Sequence, residues 1–171
     1  MVAIDLGGRR IAETRRALRV LETSHPPGYC LPLADVARGV LRPGPGGTWC
    51  EFKGQATYFD VVSGEVVAQH AGWHNPQPAR GYEALVGHVA FYPARMDACW
   101  VDGERGRPQQ GSFYGGWITG RITGPFKGTP RSHRWQASSP APLLTSLGAT
   151  EGRARTTEHS TDQDSTGSVV G

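Results

Sequence analysis

The chain has 171 residues, 37% of them hydrophobic, and a formal net charge of +3. That length suffices for one domain with a sizeable core, and no stretch approaches the ~20 apolar residues of a membrane span. Arg9-Arg10 and Arg15-Arg16 are the only tight basic pairs, so the clustered footprint of a nucleic-acid binder is not expected.

In chain order the pattern reads as mainly β. VAID, Gly7-Gly8 and RRIAE form a hairpin with a Gly-Gly turn. ALRVLE over 17–22 can be a strand, though its Arg and Leu content also suits a helix. SHPPGYCLP should be irregular, because its prolines forbid regular structure. LADVARGVL over 33–41 suits one or two helical turns, and RPGPGG over 42–47 a loop. TWCEFKG leads into the strand QATYFDVV, and Ser63-Gly64 turns the chain into EVVAQHAGWH. NPQPAR is a second proline-rich loop. GYEALVGHVAFY should begin helical and end extended. Asp102-Gly103 is the strongest short hairpin signal. SFYGGWITGRITGPFKG and Trp135 follow. The fold expected is a small single-domain β-barrel or sandwich-like fold with one or two short helices.

All fifteen aromatic residues lie between Tyr29 and Trp135. Residues 136–171 are Ser/Thr/Gly-rich, with one apolar patch at Leu143, Leu144 and Leu147. Such a segment buries too little to offset its ordering entropy. The expected division is therefore a β-rich domain over 1–135 and a disordered tail over 136–171. The domain carries 16 basic and 11 acidic residues, the tail 2 and 4. Cys30, Cys50 and Cys99 form no close-spaced pair, and an odd number argues against a secreted disulfide framework. MVAIDLGGRR has no apolar run of signal-peptide length. A cytoplasmic location is the expectation.

Only two of the 18 basic side chains are lysines, and both sit in a Phe-Lys-Gly triplet, at Lys53 and Lys127. The arginine bias fits a GC-rich coding genome, which makes the two lysines conspicuous. A lysine is a compact point charge that can hold a carboxylate or phosphate or serve as a tuned base. Its bland alternative is a solvated turn.

Four segments carry a family resemblance: RALRVLETSHPPGYCLPLADV, TWCEFKGQATYF, AGWHNPQP and GHVAFYPARMDACWVDGE. In this order they resemble domain-of-unknown-function family 427, a bacterial and fungal family, over roughly residues 9–105. The motif residues include Leu21-Glu22, His25-Pro26-Pro27, Tyr29 and Pro32, then Lys53-Gly54, Tyr58 and Trp73. The resemblance implies a compact β-rich domain, and the family is also labelled a nucleotidyltransferase domain. Departures from the pattern fall at Glu51-Phe52, Phe59 and His74-Asn75, where phenols give way to a carboxylate and an imidazole. No glycine-rich loop and no paired aspartates of the kind that hold metal and triphosphate are present.

The candidate catalytic residues are Glu22, His25, Cys50 and Lys53. Two prolines stiffen the loop after His25 and fix the direction of its imidazole, with Glu22 as supporting carboxylate. Lys53 would hold an anionic group. Cys50 lies three residues earlier and would face the opposite side of an extended strand, so a shared site needs a turn between them. A nearby ammonium would raise its thiolate fraction. Tyr29, Trp73 and Tyr92 are the candidate ligand-binding residues, packing the organic part of a small molecule. His70 and His74 share a strand face and could bind zinc with Cys50 or His88, but no close-spaced ligand pair supports this. No metal or cofactor is expected. The leading expectation is a small-molecule-binding β domain with an aromatic-lined pocket. The alternatives are a cofactor-free acid–base enzyme (cyclisation, isomerisation or hydrolysis), the nucleotidyltransferase of the family label, and a protein-interaction module. A recessed Trp73 and Trp100 would favour a ligand, an exposed contiguous patch a partner. Whether the chain forms a homodimer is open.

Overall fold

The structure, a computed structural model, describes residues 1–111, 114–128 and 143–146. It is a sandwich-like arrangement of antiparallel sheets, with no closed barrel. Strands β1 (Val2–Leu6), β2 (Arg9–Thr14), β9 (Ala98–Val101) and β10 (Glu104–Arg105) form a four-stranded sheet in the order β10-β9-β1-β2. A seven-stranded sheet runs β13-β3-β4-β8-β7-β6-β5. Its members are β3 (Leu18–Leu21), β4 (Gly28–Pro32), β5 (Leu41–Cys50), β6 (Gly54–Ser63), β7 (Val66–Gln77), β8 (His88–Phe91) and β13 (Leu143–Ser146). β11 (Arg107–Pro108) and β12 (Trp117–Ile118) pair separately.

Helical structure among the described residues is limited to three 3-10 turns, Leu33–Asp35, Glu83–Leu85 and Pro93–Arg95. The 33–41 segment is thus less helical than expected. Asp35 caps nothing. Its carboxylate accepts from Thr14 Oγ1 at 2.6 Å and Arg16 Nη2 at 2.6 Å, tying the turn to β2. The 83–91 segment begins helical and ends extended, as its composition suggests.

Four stretches differ from expectation. Asn75, Pro76 and Gln77 of the expected NPQPAR loop belong to β7, with Gln77 paired to Gln55. RPGPGG lies within β5, with a register shift between Pro43 and Gly47. β5 is a sheet edge, where proline's missing N–H costs no ladder bond. GYCLP forms β4, because Pro26 and Pro27 precede the strand and Pro32 ends it. Leu143–Ser146 form β13, antiparallel to β3, although the tail was expected to be disordered. Leu144 packs against the small cluster of Val20, Tyr82 and Leu85, which accounts for the pairing of this apolar patch. The remainder of the tail lies outside the described residues.

The main core lies between the two large sheets. Val2, Ile4, Leu6 and Ile11 meet Leu31, Val61, Val89 and Phe91. Trp117 joins them fully buried, at 0% exposure. Its Nε1–H donates to the Phe91 carbonyl at 3.3 Å, so the apolar ring is buried without orphaning its polar handle. Among the described residues no helix is long and apolar enough to cross a membrane.

Candidate functional site

Strand alternation gives the seven-stranded sheet a second face. Along β4, Tyr29 and Leu31 enter the core while Gly28 and Cys30 point the other way. Ala90 of β8, Trp73 and Asn75 of β7, and Ala56 and Tyr58 of β6 share that opposite face. They line a cavity of about 210 Å³. The 22–26 loop and Leu85 close parts of its wall, and residues 109 and 114–116 cover another part.

Lys53 reaches the cavity because of the turn after β5. Cys50 pairs with Gly54, so Glu51, Phe52 and Lys53 form the hairpin tip. This turn brings Cys50 and Lys53 to the same wall, which an unbroken strand could not do. Gly54 has φ +81°, and an added Cβ would lie 2.9 Å from the Gln77 carbonyl oxygen. Only glycine satisfies both demands. Asn75 Nδ2 donates to the Gln55 carbonyl at 3.1 Å and the Lys53 carbonyl at 3.4 Å, holding the tip. Lys53, 18% exposed, places Nζ 3.0 Å from Glu22 Oε1. A half-buried ammonium is stabilised by such a partner.

His25 is fixed from three sides. Its backbone N–H donates to the Glu22 carbonyl at 3.1 Å. Ser24 before it adopts φ 59°, a left-handed conformation that costs a non-glycine residue ~1 kcal/mol or more. The Ser24 carbonyl accepts the Lys127 N–H at 2.8 Å. Gln109, 3% exposed, donates from Nε2 to the Lys127 carbonyl at 2.8 Å and sits 3.0 Å from His25 Nδ1. The second Phe-Lys-Gly triplet therefore clamps the loop that presents the histidine. Burial holds the His25 pKa below the ordinary imidazole value. The negative charge of Glu22 opposes that shift, and the charges of Lys127 and Lys53 reinforce it.

The aromatic wall is Trp73 against Tyr92 at 4.5 Å between ring centroids, with Tyr58 beside them and Tyr114 5.0 Å from the His25 ring. Tyr92 shares a hydrogen bond with Tyr58, and burial pushes its phenol up to about 12. Tyr58 Oη in turn lies 2.9 Å from Thr48 Oγ1. Arg95 stacks its guanidinium 5.7 Å from the centre of the Tyr92 ring.

Of the residues singled out from sequence, Glu22, His25, Cys50, Lys53, Trp73 and Tyr92 all line this cavity. Tyr29 does not. Its side chain lies on the core face of β4, 5.0 Å from the Trp117 ring, while its neighbours Gly28 and Cys30 line the cavity. Trp73 is recessed in the cavity wall. Trp100 is half-buried on β9, where its Nε1–H donates to Asp5 Oδ2 at 2.6 Å. Among the described residues no group of three or more His, Cys, Asp or Glu side chains could hold a metal ion. His74 instead packs on Phe59 at 4.7 Å and His70 against Tyr58 at 5.6 Å.

Sequence reasoning missed Tyr58, Asn75, Gln109 and Tyr114. Tyr58 and Ala56 alternate on a strand-like run, a signal that could have placed them together. Gln109 and Tyr114 lie in a segment without periodicity, and no pattern pointed to them. Comparison with curated protein sequences gave no match. The family described as Domain of unknown function (DUF427) matches residues 1–102, more than half of the chain, and the chain belongs to that family.

Proposed function

We propose that the chain is a small-molecule-binding domain whose ligand occupies the cavity behind the seven-stranded sheet. One observation carries this reading. Six side chains drawn from four separate sequence motifs converge on a single recess of about 210 Å³. A mostly apolar recess with a few fixed polar groups is the usual form of a ligand site. Trp73, Tyr92 and Tyr58 would pack a planar organic body. Glu22, Lys53, His25 and Cys50 would address its polar groups. The setting that suits the free Cys30, Cys50 and Cys99 is the reducing cytoplasm.

A second reading, a cofactor-free acid–base enzyme, is favoured by His25. A histidine in a recess with its pKa displaced by burial is a recurrent feature of catalytic sites. Nucleotidyl transfer has less support. Among the described residues the cavity wall carries one carboxylate, Glu22, already paired with Lys53, and metal-held triphosphates need carboxylate ligands in number.

The test is a fragment screen followed by NMR mapping and titration against the Lys53→Arg variant. Arginine demands planar, bidentate partners, so the variant should keep its fold while binding weakens about tenfold. Hits that shift resonances of His25 and Trp73 support the reading. Hits confined to the exposed Trp49 edge, 75% accessible, would replace it with a partner-docking surface.

A further inference from the structure

Gln109 lies beyond the family-matched residues and is almost fully buried: its backbone N–H donates to the Gly116 carbonyl at 3.0 Å, while its side-chain amide reaches His25. Its orientation is not arbitrary. The Lys127 carbonyl can only accept, so the atom 2.8 Å from it must be the amide nitrogen. That nitrogen's other hydrogen then points at His25 Nδ1, 3.0 Å away. Gln109 Oε1 is more distant from Nδ1, at 3.4 Å. The nearer contact makes Nδ1 the acceptor and places the imidazole proton on Nε2. Nδ1 is thereby occupied, and Nε2–H is the polar group that His25 can offer to a ligand.

Among the described residues, Glu22 and Lys53 are the charged side chains of the recess wall, and they pair with each other. Lys127 also acts on His25 through its charge. An anionic ligand would have to compete with Glu22 for Lys53. A cationic one would have to compete with Lys53 for Glu22.

From this geometry we propose that the cavity takes an uncharged, planar molecule bearing a hydrogen-bond acceptor such as a carbonyl oxygen, which His25 Nε2–H binds, and that Gln109 is the positioning residue that sets this tautomer. The proposal rests on the small-molecule reading of the site and narrows it. The same geometry lets a neutral imidazole polarise a carbonyl without taking a proton from the ligand.

Two measurements on the whole chain test it. The first needs no ligand: long-range ¹H–¹⁵N correlation at pH 7.5 reads the His25 tautomer. Nε2–H is expected, and an Nδ1–H tautomer would overturn the assignment of Gln109. The second compares four bicyclic probes of one shape: 1-indanone, indane, indane-1-carboxylate and 1-aminoindane. The ketone should bind ~5-fold more tightly than indane, the worth of one neutral hydrogen bond. Both charged analogues should bind at least ~10-fold more weakly than the ketone, since each buries an uncompensated charge. The Gln109→Met variant should narrow the ketone's advantage over indane, because the donor that holds Nδ1 as an acceptor is gone and the tautomer is no longer fixed. If the carboxylate binds best, the ligand class is wrong while the pocket stands. If none of the four shifts His25 or Trp73, both the class and the pocket reading fail. Because tautomer and preference are read on the wild-type chain, a variant that misfolds does not rescue the proposal.

Discussion

Gly115 offers a sharp test of how the segment after the family-matched region meets the cavity. A Cβ added there would lie 2.9 Å from Trp73 Cζ3, 3.1 Å from Cζ2, and closer still to Cη2. Relaxed carbon–carbon contacts sit at ~3.5–4.0 Å. The indole cannot simply swing aside, because Tyr92 packs against it at 4.5 Å. Gly115→Ala should therefore cost about 1–3 kcal/mol, the usual range for overpacking. At ~2–4 °C per kcal/mol for a domain of this size, the Tm falls by about 2–12 °C. Calorimetry measures the fall, and near-UV circular dichroism reports the tilt of Trp73. Trp73→Phe removes the ring atoms that clash, so the double variant should recover ~1–2 kcal/mol of the summed single effects. Strict additivity in that cycle, or an unchanged Tm in Gly115→Ala, would refute the packing argument.

Three further outcomes follow from named groups. Burial lowers the folded-state pKa of both His25 and His74. Stability should therefore be full above the unfolded value of ~6.5 and fall as pH drops below it, by at most ~1.4 kcal/mol per pH unit for each histidine. It should then level once the folded histidines protonate, and His25→Gln should shallow the fall when denaturation is followed from pH 8 to 5. Burial pushes the Cys30 thiol up to about 12 and raises that of Cys99 as well. Both stay protonated, so a disulfide reagent at pH 8 should modify Cys50 first, and Cys50→Ser should remove the fast phase. Trp117→Ala should cost about 3–5 kcal/mol, and a Tm fall under ~5 °C would show that β12 is not anchored in the core.

The β class and most hairpins were legible because their signals are local. Gly7 and Gly8 adopt φ 60° and 69°, as a two-residue turn in a twisted hairpin requires. The proline-rich stretches misled for a definite reason. Proline forbids central strands but not edges, and whether RPGPGG is at an edge depends on strand order, which no local pattern encodes. Tyr29 misled in a similar way. Its motif neighbours face the cavity, but strand parity turns Tyr29 to the core. Lys53 and Cys50 came out together because a turn between them was the condition for a shared site, and β5 and β6 supply that turn. Gln109 was out of reach because its role exists only through the contact between a distant loop and His25.

The two lysine triplets acquire different roles once the site is assembled. Lys53 contributes its ammonium, held by Glu22 at the cavity wall. Lys127 contributes its backbone: its N–H holds Ser24 and its carbonyl orients Gln109. Residues 1–102 thus supply six of the seven strands of the sheet, the Trp73, Tyr92 and Tyr58 part of the aromatic wall and the charged pair, while the segment beyond them supplies Gln109, Tyr114 and the close-fitting Gly115. This division separates two kinds of change. Substitutions in the sheet should alter whether a ligand is held at all. On the proposed small-molecule reading, those at Gln109 and 114–116 should alter which ligand is held, because they reset the histidine's donor and the space beside Trp73. A chain that kept the first 102 residues and replaced this segment would retain the recess with a different preference. A graft that left the probe ranking unchanged would place selectivity in the sheet instead.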